Sequence, residues 1–293
     1  MLSIGILSSG QLGFKTLQKL VLEYDIKFVL TDKNSTDIIN LSTEYNIPFY
    51  FGNPRNGDAF NFIKNFKIDV IASINYLFLI EKDIISHPKK LIFNIHGSLL
   101  PKYRGRTPHV WAIINGEKMA GITAHTIDEG CDTGKIISQI KVPIEYDDTG
   151  ANMLKKYESL YFPLIQEILE KIEDDSLELI DQNHKEATYF GKRVPSDGII
   201  NWNLPKEKIR DWIRAQAFPY PGAYTFFEGK KITIDKVSLV DIPVHKNYKN
   251  GEIISINPNV IVKTQNGTLK LSSFREENVT FNIGKRFKNE NRK

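Results

Sequence analysis

Short apolar runs alternate with helix-period patterns along the N-terminal part of the chain. Residues 68–73 carry a hydrophobic run that is typical of a strand buried on both faces of a parallel sheet. Residues 148–173 place apolar side chains on one face at helical spacing. Strands that alternate with helices in this way predict an α/β fold. The predicted strands are 2–7, 26–31, 68–73, 91–95, 121–126 and 136–142, and the predicted helices are 35–46, 57–66 and 148–173.

The pattern changes towards the C-terminus. Residues 219–222 (PYPG) interrupt the chain, and five short strand-like segments follow, separated by Gly and Asn turns. Such a series predicts a small antiparallel barrel of the OB type. We therefore predict two domains, a Rossmann-like α/β domain at 1–190 and a smaller OB-like β domain at 200–293. The last residues, 283–293, are basic and predict a frayed tail.

Three polar side chains are candidates for chemistry beside the strand at 91–95. Side chains alternate between the two faces of a strand, so Asn94 and His96 point the same way. Asp132 lies in a Gly-rich loop that could bring a carboxylate back towards them. Open α/β sheets bind ligands beyond the carboxyl ends of their strands, so this edge is a candidate site. Taken singly, each residue is more simply explained as a strand cap, a core histidine or a turn aspartate.

The turn after the first strand is a second candidate for a binding site. It precedes a helical pattern whose N-terminus could receive an anion, and Ser9, Gly10 and Gln11 would then contact a phosphate or a sugar. The turn lacks the full dinucleotide fingerprint and a Walker lysine. A plain strand-to-helix connection therefore explains it equally well.

Several segments together resemble the active-site signature of the enzymes that use N10-formyltetrahydrofolate as a formyl donor. That signature is Asn-x-His, then Ser-Leu-Leu-Pro, a basic Gly loop and Asp-x-Gly. Two further stretches resemble family segments, and the likeness is greatest to the enzymes that formylate nucleotide-linked amino sugars. The matching segments are 94–96, 98–101, 104–106, 132–134, 186–202 and 214–232.

The resemblance implies a role for each candidate. His96 would move the proton, Asn94 would donate its amide to an oxyanion, and Asp132 would orient His96 and raise its pKa. The implied folate contacts are Phe78, Leu79, Ile80, Arg106, Asp128, Glu129 and Gly130. The acceptor would contact Ser9, Gly10, Gln11, Lys102 and Arg104, the last two through a diphosphate. N10-formyltetrahydrofolate is the implied co-substrate. No metal is expected, because the acidic loop lacks the spacing of a calcium site.

The acceptor implied by overall similarity is dTDP-4-amino-4,6-dideoxyglucose, used in O-antigen and lipopolysaccharide synthesis. In relatives that formylate initiator tRNA, the region after the second strand carries a longer basic loop, whereas residues 31–37 are short and nearly neutral here. The substantial C-terminal part disfavours glycinamide ribonucleotide as acceptor. The alternatives are a methionyl-tRNA formyltransferase and a non-catalytic binding module of the same fold.

Composition limits the partners further. The net charge of the 293 residues is only +4, and no concentrated basic face suggests nucleic-acid binding. A single cysteine excludes an internal disulfide framework. We find no signal-peptide pattern and no apolar run near the roughly 20 residues that span a bilayer. These features predict a cytoplasmic protein with a small-molecule substrate and no membrane partner. They are also compatible with a homodimer.

Overall fold

A computed structural model describes residues 2–245 and 247–289. The chain forms two compact units. The first contains the described residues up to Gly105, together with Gly121–Val142 and Lys155–Tyr189. The second contains Arg106–Ala120, Pro143–Leu154 and the described residues from Phe190 onward. The predicted domain limits of 1–190 and 200–293 stay a prediction.

The helices and strands occur in the following order. The strands are β1 (Ile4–Ser8), β2 (Ile26–Thr31), β3 (Phe49–Phe51), β4 (Val70–Ile74), β5 (Leu91–His96), β6 (Arg104–Gly105), β7 (Met119–Thr126), β8 (Ile136–Pro143), β9 (Tyr189–Phe190), β10 (Ala223–Phe227), β11 (Lys230–Val240), β12 (Ile253–Ser255), β13 (Val260–Thr264) and β14 (Gly267–Phe274). The α-helices are α1 (Gly10–Glu23), α2 (Thr36–Glu44), α3 (Asp58–Ile63), α4 (Lys82–Ile85), α5 (Pro108–Asn115), α6 (Gly150–Glu173) and α7 (Lys206–Ala215). Two 3₁₀ turns lie at His184–Glu186 and Pro195–Gly198.

A seven-stranded sheet in the order β3-β2-β1-β4-β5-β7-β8 forms the centre of the N-terminal fold. Strands β1 to β5 are parallel, and β7 runs antiparallel to β5. Every residue of β1 and β4 is buried, as expected for strands covered on both faces. This arrangement confirms the predicted Rossmann-like fold. The strand order reverses between β1 and β4, so the carboxyl edge beside them is where a ligand would bind.

The register at this edge brings the predicted residues together. Ile74 of β4 pairs with Ile95 of β5, which places the end of β4 beside His96. On the other side of β5, Asn94 pairs with His125 of β7. The strand that carries the catalytic candidates therefore has a second imidazole next to it.

The second unit contains an antiparallel sheet in the order β10-β11-β14-β13-β12. Helix α7 packs against β11 and against α5. Strands β10 and β12 lie at the two ends of this order, and the segment around Arg286 bonds to both of them, through Phe226 and Ile253. This confirms the predicted small antiparallel β domain. Its core contains Ile200, Trp202, Ile209, Ile213, Ala223, Phe227, Ile232, Ile234, Ile253, Val262, Leu269, Leu271 and Phe287.

The predicted frayed tail is wrong for the part that the structure describes. Phe287 is only 2% exposed, and its ring stacks on Trp202 at 5.3 Å between centroids. The backbone of Lys288 exchanges hydrogen bonds with Phe226 of β10. The buried ring of Phe287 thus holds the end of this basic segment against the β domain, although its composition suggested a frayed tail. Residues 290–293 of the predicted tail lie outside the described residues.

Within the described ranges, no helix has the length and apolar content needed to cross a membrane.

Candidate active site

His96 ends β5 with its imidazole buried and its tautomer defined. Its Nε2 lies 2.8 Å from the carbonyl oxygen of Tyr103. A carbonyl can only accept, so Nε2 carries a proton and donates it. In the neutral ring the lone pair is therefore on Nδ1, which lies 3.5 Å from Oδ1 of Asp132. The atom that can accept a proton thus faces a carboxylate.

Burial lowers the pKa of His96 below its ordinary value. The negative charge of Asp132 and the hydrogen bond to Tyr103 act in the opposite direction, while His125 and Arg104 lower the pKa further. We predicted that Asp132 would raise this pKa. The direction of its contribution is as predicted, but the loss of hydration is larger and decides the sign. A lowered pKa keeps the imidazole neutral near pH 7, which is the form that can act as a base.

Asp132 stays ionised in this site. Its backbone is in the left-handed region, with φ of 55°, and its Oδ2 accepts a hydrogen bond of 2.8 Å from the backbone N–H of Gly105. Burial alone would raise the pKa of Asp132. The neighbouring His125, the charge of His96 and the Gly105 N–H together outweigh burial and hold the pKa of Asp132 well below its usual range. The carboxylate can therefore stabilise a positive charge on His96.

Asn94 is held by a residue that the sequence analysis missed, His125. Nδ1 of His125 lies 2.9 Å from the carbonyl oxygen of Thr126, so Nδ1 is the donor. Nε2 of His125 then accepts from the side-chain amide of Asn94 at 3.2 Å, and it lies 3.6 Å from Asp132. An amide nitrogen has a second hydrogen that it can donate elsewhere. The alternation of Thr123 and His125 on a strand beside β5 was the signal that could have pointed to this residue.

The predicted diphosphate contact at Arg104 does not fit the structure. Its side chain is 1% exposed, and the guanidinium donates to Gln182 at 2.6 Å and to the hydroxyl of Tyr189 at 2.5 Å. It also lies 3.0 Å from Nδ1 of His184. The guanidinium of Arg104 therefore stabilises the surrounding residues and is not accessible to a diphosphate. Lys102 is exposed, and its role as a diphosphate contact stays a prediction.

The predicted folate contacts lie in two loops. After β4, Leu79 is 66% exposed while Phe78 and Ile80 are half-buried, so a loop at the ligand edge presents apolar surface. A flat ring system such as a pterin can pack one of its faces on such a surface. In the other loop, Asp128 accepts from the backbone of Gly130 at 3.0 Å.

The second loop is also tied to α4. Glu129 forms an exposed ion pair with Lys82 at 2.8 Å. Arg106 is exposed and lies in the second unit, where its backbone N–H bonds to Phe190. No group of three or more His, Cys, Asp or Glu side chains among residues 2–245 and 247–289 is arranged to hold a metal ion.

Two polar groups of the β1–α1 turn are bonded to nearby residues of the fold. The backbone N–H of Gly10 donates to the hydroxyl of Ser35 at 2.9 Å, and Ser35 donates to Asp32 at 2.5 Å. The side chain of Gln11 donates to Asp37 at 2.6 Å, and Ser9 is fully buried. An anion at this helix start would meet two carboxylates. The turn therefore does not offer the surroundings that a phosphate needs.

The chain belongs to the formyl transferase family. The profile of the formyl transferase domain matches residues 14–166, and the profile of the formyl transferase C-terminal domain matches residues 193–289. Asn94, His96 and Asp132 all lie within the first match.

Individual relatives agree with this assignment. Over 262 residues the chain is 36% identical to the bifunctional polymyxin resistance protein ArnA of Wigglesworthia glossinidia brevipalpis. That match covers 88% of this chain and 39% of the relative, so the chain spans about two fifths of that protein's length.

Two solved structures show the same fold at 22% identity. One is the N-formyltransferase from Helicobacter canadensis in complex with folinic acid and dTDP-3-aminofucose, with a TM-score of 0.75 over 93% of this chain and 99% of that chain. The other is WlaRD, a sugar 3N-formyl transferase in the presence of dTDP and 5-N-formyl-THF, with a TM-score of 0.74 over 93% and 97%.

Proposed function

We propose that this protein transfers a formyl group from N10-formyltetrahydrofolate to the amine of a nucleotide-linked amino sugar. The observation that carries the proposal is the group of polar side chains at the end of β5. His96 presents an unprotonated Nδ1 next to ionised Asp132, and the amide of Asn94 lies on the same strand face. A base and a neutral hydrogen-bond donor side by side are what attack of an amine on a formyl carbon requires.

Each group has a distinct task in this transfer. The amine nitrogen attacks the formyl carbon, and the proton that it loses passes to Nδ1 of His96. The carbonyl oxygen becomes an oxyanion, which Asn94 stabilises through its amide by roughly 3–4 kcal/mol, as such donors do elsewhere. The bond from the formyl carbon to N10 then breaks, and His96 returns the proton to N10. Asp132 stabilises the imidazolium between the two proton transfers.

A small acceptor is supported by the connection between β2 and α2. Only the residues from Asp32 to Ser35 lie between the two elements. Asp32 accepts bonds from the Ser35 hydroxyl and from the backbone of Asn34, so the connection closes on itself. It is too short for the basic loop that the resemblance associates with tRNA. The two structural neighbours described above bind a dTDP-sugar and dTDP, respectively.

We further propose dTDP-4-amino-4,6-dideoxyglucose as the acceptor, with a place in O-antigen synthesis. The test is a panel of acceptors incubated with N10-formyltetrahydrofolate and the purified protein. The panel contains this sugar nucleotide, a dTDP-linked 3-amino sugar, UDP-4-amino-arabinose and methionyl-tRNA. Tetrahydrofolate release gives the rate, mass spectrometry identifies the product, and His96→Ala serves as the inactive control.

We expect the highest kcat/KM for the 4-amino dTDP-sugar. A preference for the 3-amino sugar or for UDP-4-amino-arabinose would overturn the choice of acceptor but not the chemistry. Efficient formylation of methionyl-tRNA at physiological salt would overturn the sugar assignment. No transfer to any of the acceptors would favour the non-catalytic binding module.

A further inference from the structure

The amide of Gln182 lies beneath the Asp132 loop, 50 residues away in sequence. Gln182 follows the Ile136–Ile180 bridge and precedes β9, in a stretch to which the mechanism assigns no task. Its side chain is 6% exposed. A buried amide must have hydrogen-bond partners, and its partners here belong to the active site.

The three hydrogen bonds of this amide connect it to Asp132, Gly134 and Arg104. Nε2 donates to the carbonyl oxygen of Asp132 at 2.9 Å and to that of Gly134 at 2.6 Å. Oε1 accepts from Nη2 of Arg104 at 2.6 Å. The opposite orientation would place Oε1 against two carbonyl oxygens, so only one orientation is allowed.

Together with the bonds made by residues 103–105, these hydrogen bonds hold His96 and Asp132 in place. Tyr103 accepts from Nε2 of His96, Arg104 bonds to Gln182, and the N–H of Gly105 holds the carboxylate of Asp132. Three consecutive residues thus contact His96, Gln182 and Asp132. Gln182 holds the backbone of Asp132 from the other side.

The backbone of Asp132 needs such support. Its φ of 55° lies in the left-handed region, which a residue with a Cβ adopts only at a cost of about 1–3 kcal/mol. Surrounding bonds must therefore maintain this conformation, and the Gln182 amide supplies one of them at the carbonyl of the same residue.

We propose that Gln182 is a positioning residue that maintains the short distance between Asp132 and Nδ1 of His96. This inference rests on the proposed function, because it assigns Gln182 a part in the same proton transfer. Gln182 touches no reacting atom in this scheme and acts through Asp132.

The proposal has a readout that a purely stabilising role would lack. The charged and titratable groups that face His96 are Asp132, His125 and Arg104. Asp132 is the one that favours the imidazolium, while the other two oppose it. If loss of Gln182 lets Asp132 move away, the pKa of His96 falls further. The acid limb of the pH–rate profile then shifts to lower pH, while kcat falls.

The test compares Gln182→Met with a matched variant, Gln216→Met. Gln216 is also 6% exposed, accepts from Arg193 at 2.9 Å and donates to the carbonyl of Trp212 at 2.9 Å, but it lies in the second unit. The two substitutions remove comparable buried bonds. The measurements are thermal unfolding, kcat against pH, and the His96 pKa from an NMR titration.

We expect Gln182→Met to lower kcat by about 10- to 100-fold, as loss of such supporting bonds does elsewhere, and to lower the His96 pKa. Gln216→Met should lose stability and keep the wild-type pKa and pH profile. If Gln182→Met does not fold, Gln182→Asn withdraws the amide by about 1.5 Å and takes its place. A folded Gln182 variant with an unchanged His96 pKa and profile would overturn the proposal. The titration needs no substrate, so it decides on Gln182 even if the wild-type protein formylates no amino sugar.

Discussion

Two turns at the carboxyl edge of the same sheet carry candidate ligand contacts, and the structure treats them in opposite ways. After β5, Asn94 and His96 meet Asp132, and Nδ1 of His96 is directed at a carboxylate rather than at a fixed donor. After β1, the N–H of Gly10 and the amide of Gln11 are taken by Ser35 and Asp37. The turn after β5 therefore has polar groups available for a substrate, whereas those two groups of the turn after β1 are bonded to other parts of the protein.

Topology alone therefore does not decide which turn reacts. Both turns follow the carboxyl ends of parallel strands, the edge at which ligands bind in open α/β sheets. The difference lies in where the polar groups find their partners. After β1, the polar groups of the turn bond to Ser35 and Asp37 at the start of α2. The carboxylates of Asp32 and Asp37 therefore lie where an anionic ligand would otherwise bind. After β5, the hydrogen bonds of His96 and Asn94 leave Nδ1 of His96 and one amide hydrogen of Asn94 available for a substrate.

The largest effect expected from this comparison is that of His96→Ala. Removing the imidazole whose Nδ1 faces Asp132 should lower kcat by about 10²- to 10⁴-fold, the usual contribution of a general base. The KM for the folate should change little, since the apolar loop after β4 is untouched. Steady-state kinetics and a thermal melt measure both. Near wild-type turnover in a folded variant would mean that another group takes the proton.

Asp132→Asn should have the next largest effect, because it keeps the shape and removes the charge. Asp132 favours the imidazolium of His96, so its neutralisation should lower the pKa of that residue. Activity depends on neutral His96, so the acid limb of kcat/KM should move to lower pH. The maximal rate should fall by more than about 10-fold, as orienting carboxylates elsewhere contribute more.

Turnover measured against pH for the wild type and for Asp132→Asn tests this prediction, with folding checked by a thermal melt. A stable variant with the wild-type profile would show that Asp132 only holds its loop, as aspartate often does in turns.

The strands and the shared face of Asn94 and His96 could be predicted from sequence, because both follow from local periodicity. The apolar runs that became β1, β2, β4 and β5 bury most of their residues, as their composition indicates. The family signature added Asp132, which no local pattern connects to β5.

Contacts between distant segments could not be predicted. Arg104 looked like an exposed loop cation, and only the fold reveals that Gln182, His184 and Tyr189 enclose it about 80 residues later. His125 requires knowledge that β7 pairs with β5. The sign of the His96 pKa shift depends on how deeply the ring is buried, and sequence carries no measure of that depth.

Gly134→Ala should have a smaller effect that still reaches the reacting groups. A Cβ at this position would lie 1.7 Å from the carbonyl oxygen of Thr126, so the backbone must move. The carbonyl of Gly134 is also one of the two that bind Gln182. Displacing this loop shifts Asp132, and we expect kcat to fall by roughly 10-fold, as for loss of other supporting contacts. Kinetics and near-UV circular dichroism measure the change, and a wild-type kcat would show that the loop tolerates the shift.

Gly10→Ala should have the smallest effect on turnover, and it tests the β1–α1 turn directly. Gly10 has φ of 63°, and the nearest atom to an added Cβ is the Asn75 amide at an ordinary 3.5 Å. The cost is therefore one alanine in the left-handed region, about 1–2 kcal/mol. We expect a Tm lower by a few degrees. The kcat at saturating sugar nucleotide should stay within about threefold of wild type, which corresponds to a barrier change of less than about 0.7 kcal/mol.

Gly57→Ala is the matched control, because Gly57 has φ of 77° and, like Gly10, lies at the start of a helix in the first unit. The two variants should lose similar stability, since each places a Cβ in the same backbone region and neither Cβ would clash with a neighbouring atom. A rise in the KM for the sugar nucleotide in Gly10→Ala alone would show that the turn contacts the acceptor, as its position suggested. A fall in kcat as large as that of Gly134→Ala would show that the β1–α1 turn influences the reacting groups as strongly as the Asp132 loop does.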